Sequence, residues 1–222
     1  MTLSDRFFTN LAALGARRGS DPAIFLNVWC VESGLNPRAT NPSGARGLNQ
    51  MMPATLAALG APMEFENLAA EAQLPWIERL IAGGERRNGG PFESAARYYH
   101  ANFFPVTMSR GNTPETIVAA RDATDPRERD AYAFNRGLDA DGDGQITLSD
   151  LATVLERVRP KYQDAFARLD TAVSALPVQS WQPASLVSST PKSAGVVGGV
   201  LLAGMIALAF ARHAFLRGMV HP

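Results

Sequence analysis

The chain is poor in several residue types that would each have pointed to a class of protein. One cysteine, Cys30, stands among 222 residues, which excludes an intrachain disulfide framework. It sits in the apolar run Val28, Trp29, Cys30, Val31, where a thiol behaves as a small buried hydrophobe. Three histidines (His100, His213, His221) are scattered, so no Cys/His cluster has the spacing of a zinc site. Lys+Arg and Asp+Glu are 21 each, and the formal charge is zero. Without a basic excess or a basic run there is no electrostatic pull on phosphate, and nucleic acid is not an expected partner. Period-two runs of Val, Ile and Thr are almost absent, so the chain is expected to be mainly α. The opening stretch Met1 to Phe8 does not read as a secretory signal, because it has no basic start followed by an unbroken apolar stretch.

What is present divides the chain into five parts. Residues 1–112 alternate apolar helical stretches with Gly, Pro and Asn breaks. Residues 113–175 place two helical patterns around an Asp/Gly-rich loop. Residues 176–192 hold three prolines and several serines, the composition of an extended linker. Residues 193–211 carry no charge and are bracketed by Lys192 and Arg212. Nineteen residues in a helix span about 28 Å, close to the ~30 Å hydrocarbon core, so a membrane-spanning helix is expected there. Gly195, Gly199, Ala203, Ala207 and Ala211 form a small-residue stripe along it, compatible with self-association in lipid. A short tail, 212–222, adds Arg212 and Arg217, which by the positive-inside rule would leave the first part of the chain on the outer side.

The first informative helix opens at Asp21 and Pro22, a capping residue followed by a proline preset for the first turn. Ile24, Phe25, Val28 and Val31 give it a buried stripe, and Gly34 is a natural stop. Glu32 follows Val28 by four residues, so its carboxyl continues the apolar face. It also lies in the last turn, beside the negative end of the helix. Both features favour the protonated form, which a general acid requires. Periodicity alone leaves a frayed surface glutamate as the competing reading.

The surrounding residues decide between them. Glu32 and Ser33 close the helix; Gly47, Leu48, Asn49, Gln50, Met51, Met52 and Pro53 begin fifteen residues after Glu32; Arg97, Tyr98, Tyr99, His100, Ala101 and Asn102 lie downstream. In this order the three segments resemble the catalytic domain of the soluble-type lytic transglycosylases, a branch of the lysozyme-like superfamily. The resemblance implies a helical lysozyme-like domain that cleaves the MurNAc–GlcNAc linkage of the peptidoglycan glycan strand. It gives Glu32 the acid/base role, places Gln50 and Met52 in the subsite for the N-acetyl sugar, and has Tyr99 orient the glutamate. Ser33 and Asn41 fall at substrate-side positions. The family usually has serine where Asn41 stands, methionine where Asn49 stands, and asparagine where His100 stands. Glycosidases commonly pair two carboxylates, and only one is evident here. The resemblance implies that the substrate's own N-acetyl group assists, and that Glu32 then takes the proton of the sugar's 6-hydroxyl to close a 1,6-anhydro ring. A muramidase would differ in its product end. A non-catalytic wall-binding protein on a decayed lysozyme-like fold would be indifferent to Glu32→Gln.

Asp139 to Asp150 fits the twelve-residue EF-hand loop. Oxygens fall at Asp139, Asp141 and Asp143, Gly144 makes the turn, the Gln145 carbonyl serves next, and Asp150 closes. Asp130 to Leu138 is expected to form the entering helix, and Leu148, Leu151, Val154, Leu155 and Val158 mark the leaving one. Calcium is the expected ion, in a structural role, because clustered carboxylates repel one another without a cation. No catalytic cofactor is expected. The wider module loosely resembles one found after such catalytic domains in phage-like proteins. A phage virion protein, membrane-held and opening the host wall locally, would reconcile an external substrate with the lack of an export signal. A bacterial tail-anchored enzyme is the alternative.

Overall fold

In the computed structural model, residues 3–177 are described, and eight α-helices and one two-stranded antiparallel sheet occur among them. The expected linker, save Leu176 and Pro177, and the expected membrane helix at 193–211 lie outside the described residues. Among the described residues no helix is long and apolar enough to cross a membrane.

Helix α1 (Asp5–Arg18) starts at Ser4, whose hydroxyl accepts from the Phe7 amide, and ends at Gly19 in the left-handed conformation. Helix α2 (Pro22–Ser33) opens as expected: the Asp21 carboxylate accepts from the Ala23 amide and Pro22 occupies the first turn. Its interior differs from the expected single stripe. Every residue from Pro22 to Val31 except Ala23 is buried, including Asn27, Trp29 and Cys30. A helix apolar on all sides belongs at the centre of a domain, and α2 is contacted there by α1, by α5 (Ala95–Phe103), by α7 (Leu148–Val158) and by α8 (Gln163–Ser174). Burial pushes the Cys30 thiol up to about 12, which makes it the inert hydrophobe its neighbours imply.

Between these elements, α3 (Pro53–Leu59) and α4 (Ala70–Asn88) complete the first part of the chain, and α4 lies against α1 and α5. Residues on both sides of position 112 enter one continuous core: Phe7, Phe25, Trp29 and Tyr98 share it with Ile146, Leu151, Val154 and Phe166. The Asp/Gly loop is therefore joined to the rest of the fold by packing, not merely by the chain. Strand β1 (Ile117–Ala120) pairs with β2 (Gln145–Thr147) in the register Ile117–Thr147, Ala119–Ile146 and Ala120–Gln145. The entering helix, α6 (Pro126–Asn135), starts four residues earlier than expected, because Asp125 caps it and Pro126 opens it; a 3-10 turn, Arg136–Leu138, carries the chain into the loop. The leaving helix, α7, buries Leu148, Leu151, Val154, Leu155 and Val158, the whole expected stripe. It packs on α5 and α2, while α8 returns to α1, where Arg168 reaches Asp5 at 2.6 Å and lies over the Phe8 ring.

A buried polar chain ties α5 to the sheet. The Arg97 guanidinium faces His100 Nδ1 at 3.2 Å, and His100 Nε2 faces the Thr107 hydroxyl at 2.9 Å. A guanidinium can only donate, so Nδ1 accepts and Nε2 carries the hydrogen. The Thr107 hydroxyl then donates to the Val118 carbonyl, 2.9 Å away on β1.

Candidate active site

Glu32 is half-buried in the last turn of α2, just before a sharp reversal of the chain. The reversal is built from two successive left-handed residues, Gly34 (φ 63°) and Leu35 (φ 60°). Trp29, one turn before Glu32, supplies the carbonyl that ends the helix: it accepts from the Ser33 hydroxyl at 3.2 Å and from the Gly34 and Leu35 amides. Ser33 thus serves as a helix-end clamp. Glycine adopts positive φ freely, but leucine pays for it, on the order of 1–2 kcal/mol. Among the described residues only Leu35 and Gln50 (φ 46°) are non-glycine residues with positive φ, and each lies in one of the two motif segments near Glu32. Strain of this kind persists where the surroundings over-determine the backbone, as functional sites do.

The second segment is a tight loop after Asn41. The Asn41 side-chain oxygen accepts from the Ala45 amide at 2.9 Å and the Asn41 backbone N–H donates to the Ala45 carbonyl, so Asn41 closes a turn at a position expected on the substrate side. Gly47 (φ 76°) is obligatory: a β-carbon there would come within 2.6 Å of Gln73 Oε1 and of the Phe65 ring. Gln50 Nε2 donates to the Ala39 and Gly47 carbonyls at 3.1 and 2.9 Å, so the loop uses its donor end and a sugar could meet only Oε1. Met52 caps α3 and packs with Ala45, apart from the main core.

Two side chains that the sequence did not single out hold this loop. Gln73, fully buried on α4, accepts from the Leu48 amide at 2.9 Å and donates to the Pro37 carbonyl at 2.8 Å, bridging the loop to the segment after Glu32. Asn49, only 1% exposed, accepts from Trp29 Nε1 at 2.8 Å and from the Tyr98 hydroxyl at 2.6 Å; its own amide donates to Asn102 Oδ1 at 2.8 Å. The three sequence segments are thereby hydrogen-bonded to one another through one side chain. A buried asparagine gives no periodic signal, and its only sequence trace is that it stands where methionine was expected.

Tyr98 is pushed above the ordinary phenol range, first by burial; the Trp29 contact lowers it, and the charge of Glu32 raises it further. Tyr99, fully buried on α5, cannot face a polysaccharide directly, so any role it has is one of orientation through the protein.

In the aspartate loop, carboxylate oxygens of Asp139, Asp141 and Asp143 lie within 4.8 Å of one another. Each also accepts an amide of the loop: Asp139 from Gly142 and Gly144, Asp141 from Asp143, and Asp143 from Gln145. Burial pushes the Asp139 carboxyl up, but the Tyr132 hydroxyl and the loop amides outweigh it and hold it below the usual carboxylate range. Asp150, the expected closing ligand, is not in the group. Its two oxygens accept from the Ala140 amide at 3.1 Å and from the Thr147 amide and hydroxyl at 2.8 and 2.6 Å. Its shorter arm makes it the capping-box partner of Thr147 at the start of α7. The oxygen-only donor set suits a hard cation such as calcium.

Residues 10–76 match the family described as the Transglycosylase SLT domain, a span that holds the later part of α1, all of α2, the second motif, α3 and the start of α4. The match is consistent with a soluble lytic transglycosylase of the lysozyme-like superfamily and supports peptidoglycan-directed lytic activity in general terms. It includes Glu32, Asn49 and Gln50 and ends before Tyr98 and Tyr99. No curated protein and no solved structure matches the chain.

Proposed function

We propose that this chain, which carries an SLT transglycosylase domain at residues 10–76, cleaves the MurNAc–GlcNAc bond of peptidoglycan with Glu32 as its acid and base. The observation that carries the reading is the junction at Asn49, which draws the segment ending in Glu32, the Gly47–Pro53 loop and the Tyr98–Asn102 turn of α5 into one buried contact. Glu32 gives its proton to the glycosidic oxygen as the C–O bond breaks, and the substrate's N-acetyl oxygen shares the positive charge at the anomeric carbon. Glu32, now a carboxylate, takes the proton of the 6-hydroxyl, whose oxygen bonds to that carbon and displaces the N-acetyl group. The products are a free GlcNAc end and a 1,6-anhydro MurNAc end, and Glu32 is protonated again. One carboxyl group suffices, because no water is activated.

The reading extends to three points that rest on sequence or on the loop geometry. Calcium would be held by Asp139, Asp141, Asp143 and the Gln145 carbonyl, where it would rigidify the turn that leads into β2. The uncharged run 193–211 would anchor the enzyme in a lipid bilayer. A phage particle that opens the host wall locally would use both anchor and enzyme together.

Mass spectrometry of muropeptides released from purified peptidoglycan tests the central claim. The wild type is expected to release anhydro-ended fragments, and Glu32→Gln to lose at least a thousandfold in rate. Reducing-end products would make the enzyme a muramidase, and an unaffected Glu32→Gln would leave only a wall-binding protein.

A further inference from the structure

The Asn49 junction has a property that packing alone does not require. Its four members are almost completely removed from water, yet each brings a polar atom: the Trp29 indole N–H, the Tyr98 hydroxyl, the Asn49 amide and the Asn102 amide. An apolar residue of similar size at position 49 would fill the same space but leave the buried Trp29 N–H, Tyr98 hydroxyl and Asn102 oxygen without this partner. Here the side-chain oxygen takes two donors from two different helices, and the nitrogen reaches back to the second of them. A network joined by three directional hydrogen bonds favours one arrangement of its parts, where an apolar contact would tolerate several.

The arrangement it fixes is the one the reaction needs. Trp29 lies three residues before Glu32, so its ring and the Glu32 carboxyl leave α2 on the same side. The Trp29 carbonyl also terminates α2 and sets the reversal through Gly34 and Leu35. Pinning the indole to the loop therefore pins the helix turn that carries the acid. On the other side, Tyr98 precedes Tyr99 on α5, and Asn102 lies one turn further along the same face. Asn49 itself sits beside Gln50, whose strained backbone shapes the loop.

We infer that Asn49 is a positioning residue, which holds the Glu32-bearing turn of α2 at a fixed distance from α5 through paired hydrogen bonds to Trp29, Tyr98 and Asn102. The inference rests on the proposed glycan-cleaving activity and goes beyond it, since Asn49 touches neither substrate nor reacting atoms. It acts on how the acid is aimed, so it belongs to turnover and not to affinity.

Steady-state kinetics of the full chain on purified glycan strands, with products read by mass spectrometry, separate the possibilities. Asn49→Met preserves volume and removes every hydrogen bond of the junction; its kcat is expected to fall at least tenfold while KM stays within twofold. Asn49→Asp keeps the oxygen that accepts from Trp29 and Tyr98, and Asn102 can turn its amide to donate to it. That variant is expected to recover most of kcat, with a pH–rate profile moved to higher pH by the added negative charge near Glu32. Should Asn49→Met fail to give the wild-type circular dichroism spectrum, Tyr98→Phe carries the test, with a threefold or larger loss of kcat expected. A folded Asn49→Met or Tyr98→Phe with unchanged kcat overturns the inference, and so does a loss confined to KM. A wild type that releases no anhydro-ended fragments overturns the proposed function instead, and the two failures are distinct.

Discussion

His100 has no exposed surface, and its ring lies between the Arg97 guanidinium and the Thr107 hydroxyl, so a proton added to it has neither water nor an anion to meet. Burial, and then the positive charges of Arg97 and Arg110, lower its pKa from 6.5 to about 3. In the unfolded chain the ring titrates near its ordinary value. Between these two values the unfolded state binds the extra proton, so stability falls as pH falls from 6.5 towards 3 and is fully present above that window. At about 1.4 kcal/mol per unit, acidification from pH 7 to about pH 4.5 removes roughly 2–3 kcal/mol through this residue. Urea unfolding at the two pH values, followed by tryptophan fluorescence, measures the loss. Carboxylates contribute to it as well, and His100→Asn separates them. The variant should be less stable at neutral pH, because it breaks the link from Arg97 to Thr107. Its loss on acidification should nevertheless be smaller than that of the wild type by the same 2–3 kcal/mol. Equal losses in both proteins would refute the argument that the neutral ring is built into the fold.

Gly47→Ala would set a β-carbon within 2.6 Å of Gln73 Oε1 and the Phe65 ring, at a backbone φ of 76°. The conformational and overpacking costs together come to about 2–5 kcal/mol, which urea denaturation would register, and a stable Gly47→Ala would mean that the loop around Gln73 is more plastic than its hydrogen bonds indicate. Calcium at a hundred times its dissociation constant should add about 2.7 kcal/mol, a rise of several degrees in Tm against EDTA, if it binds the folded loop alone. Asp141→Asn, which removes one of the three converging carboxylates, should diminish that rise; identical melting of the wild type with and without calcium would remove the ion from the account.

The short-range features of this protein follow from its sequence because their causes lie within one or two turns of chain. Asp21 and Pro22 start α2, Gly34 ends it, and Leu148 to Val158 form the buried stripe of α7, all from residues two to five positions apart. Glu32, the loop beginning at Gly47 and the Asp139–Asp143 group stand out as candidates for the same reason: each is marked by fixed local spacing. Tertiary structure decided what those elements are joined to. It surrounded α2 on all sides, placed the aspartate loop on the common core, and set the Asp150 carboxylate against Thr147. It also chose Asn49 and Gln73 as the braces of the site, with partners 20 to 53 residues away for the first and up to 36 for the second. A buried amide has no periodicity and little preference of its own. Its role is set by which donors and acceptors the fold leaves without water, and only the assembled core determines that.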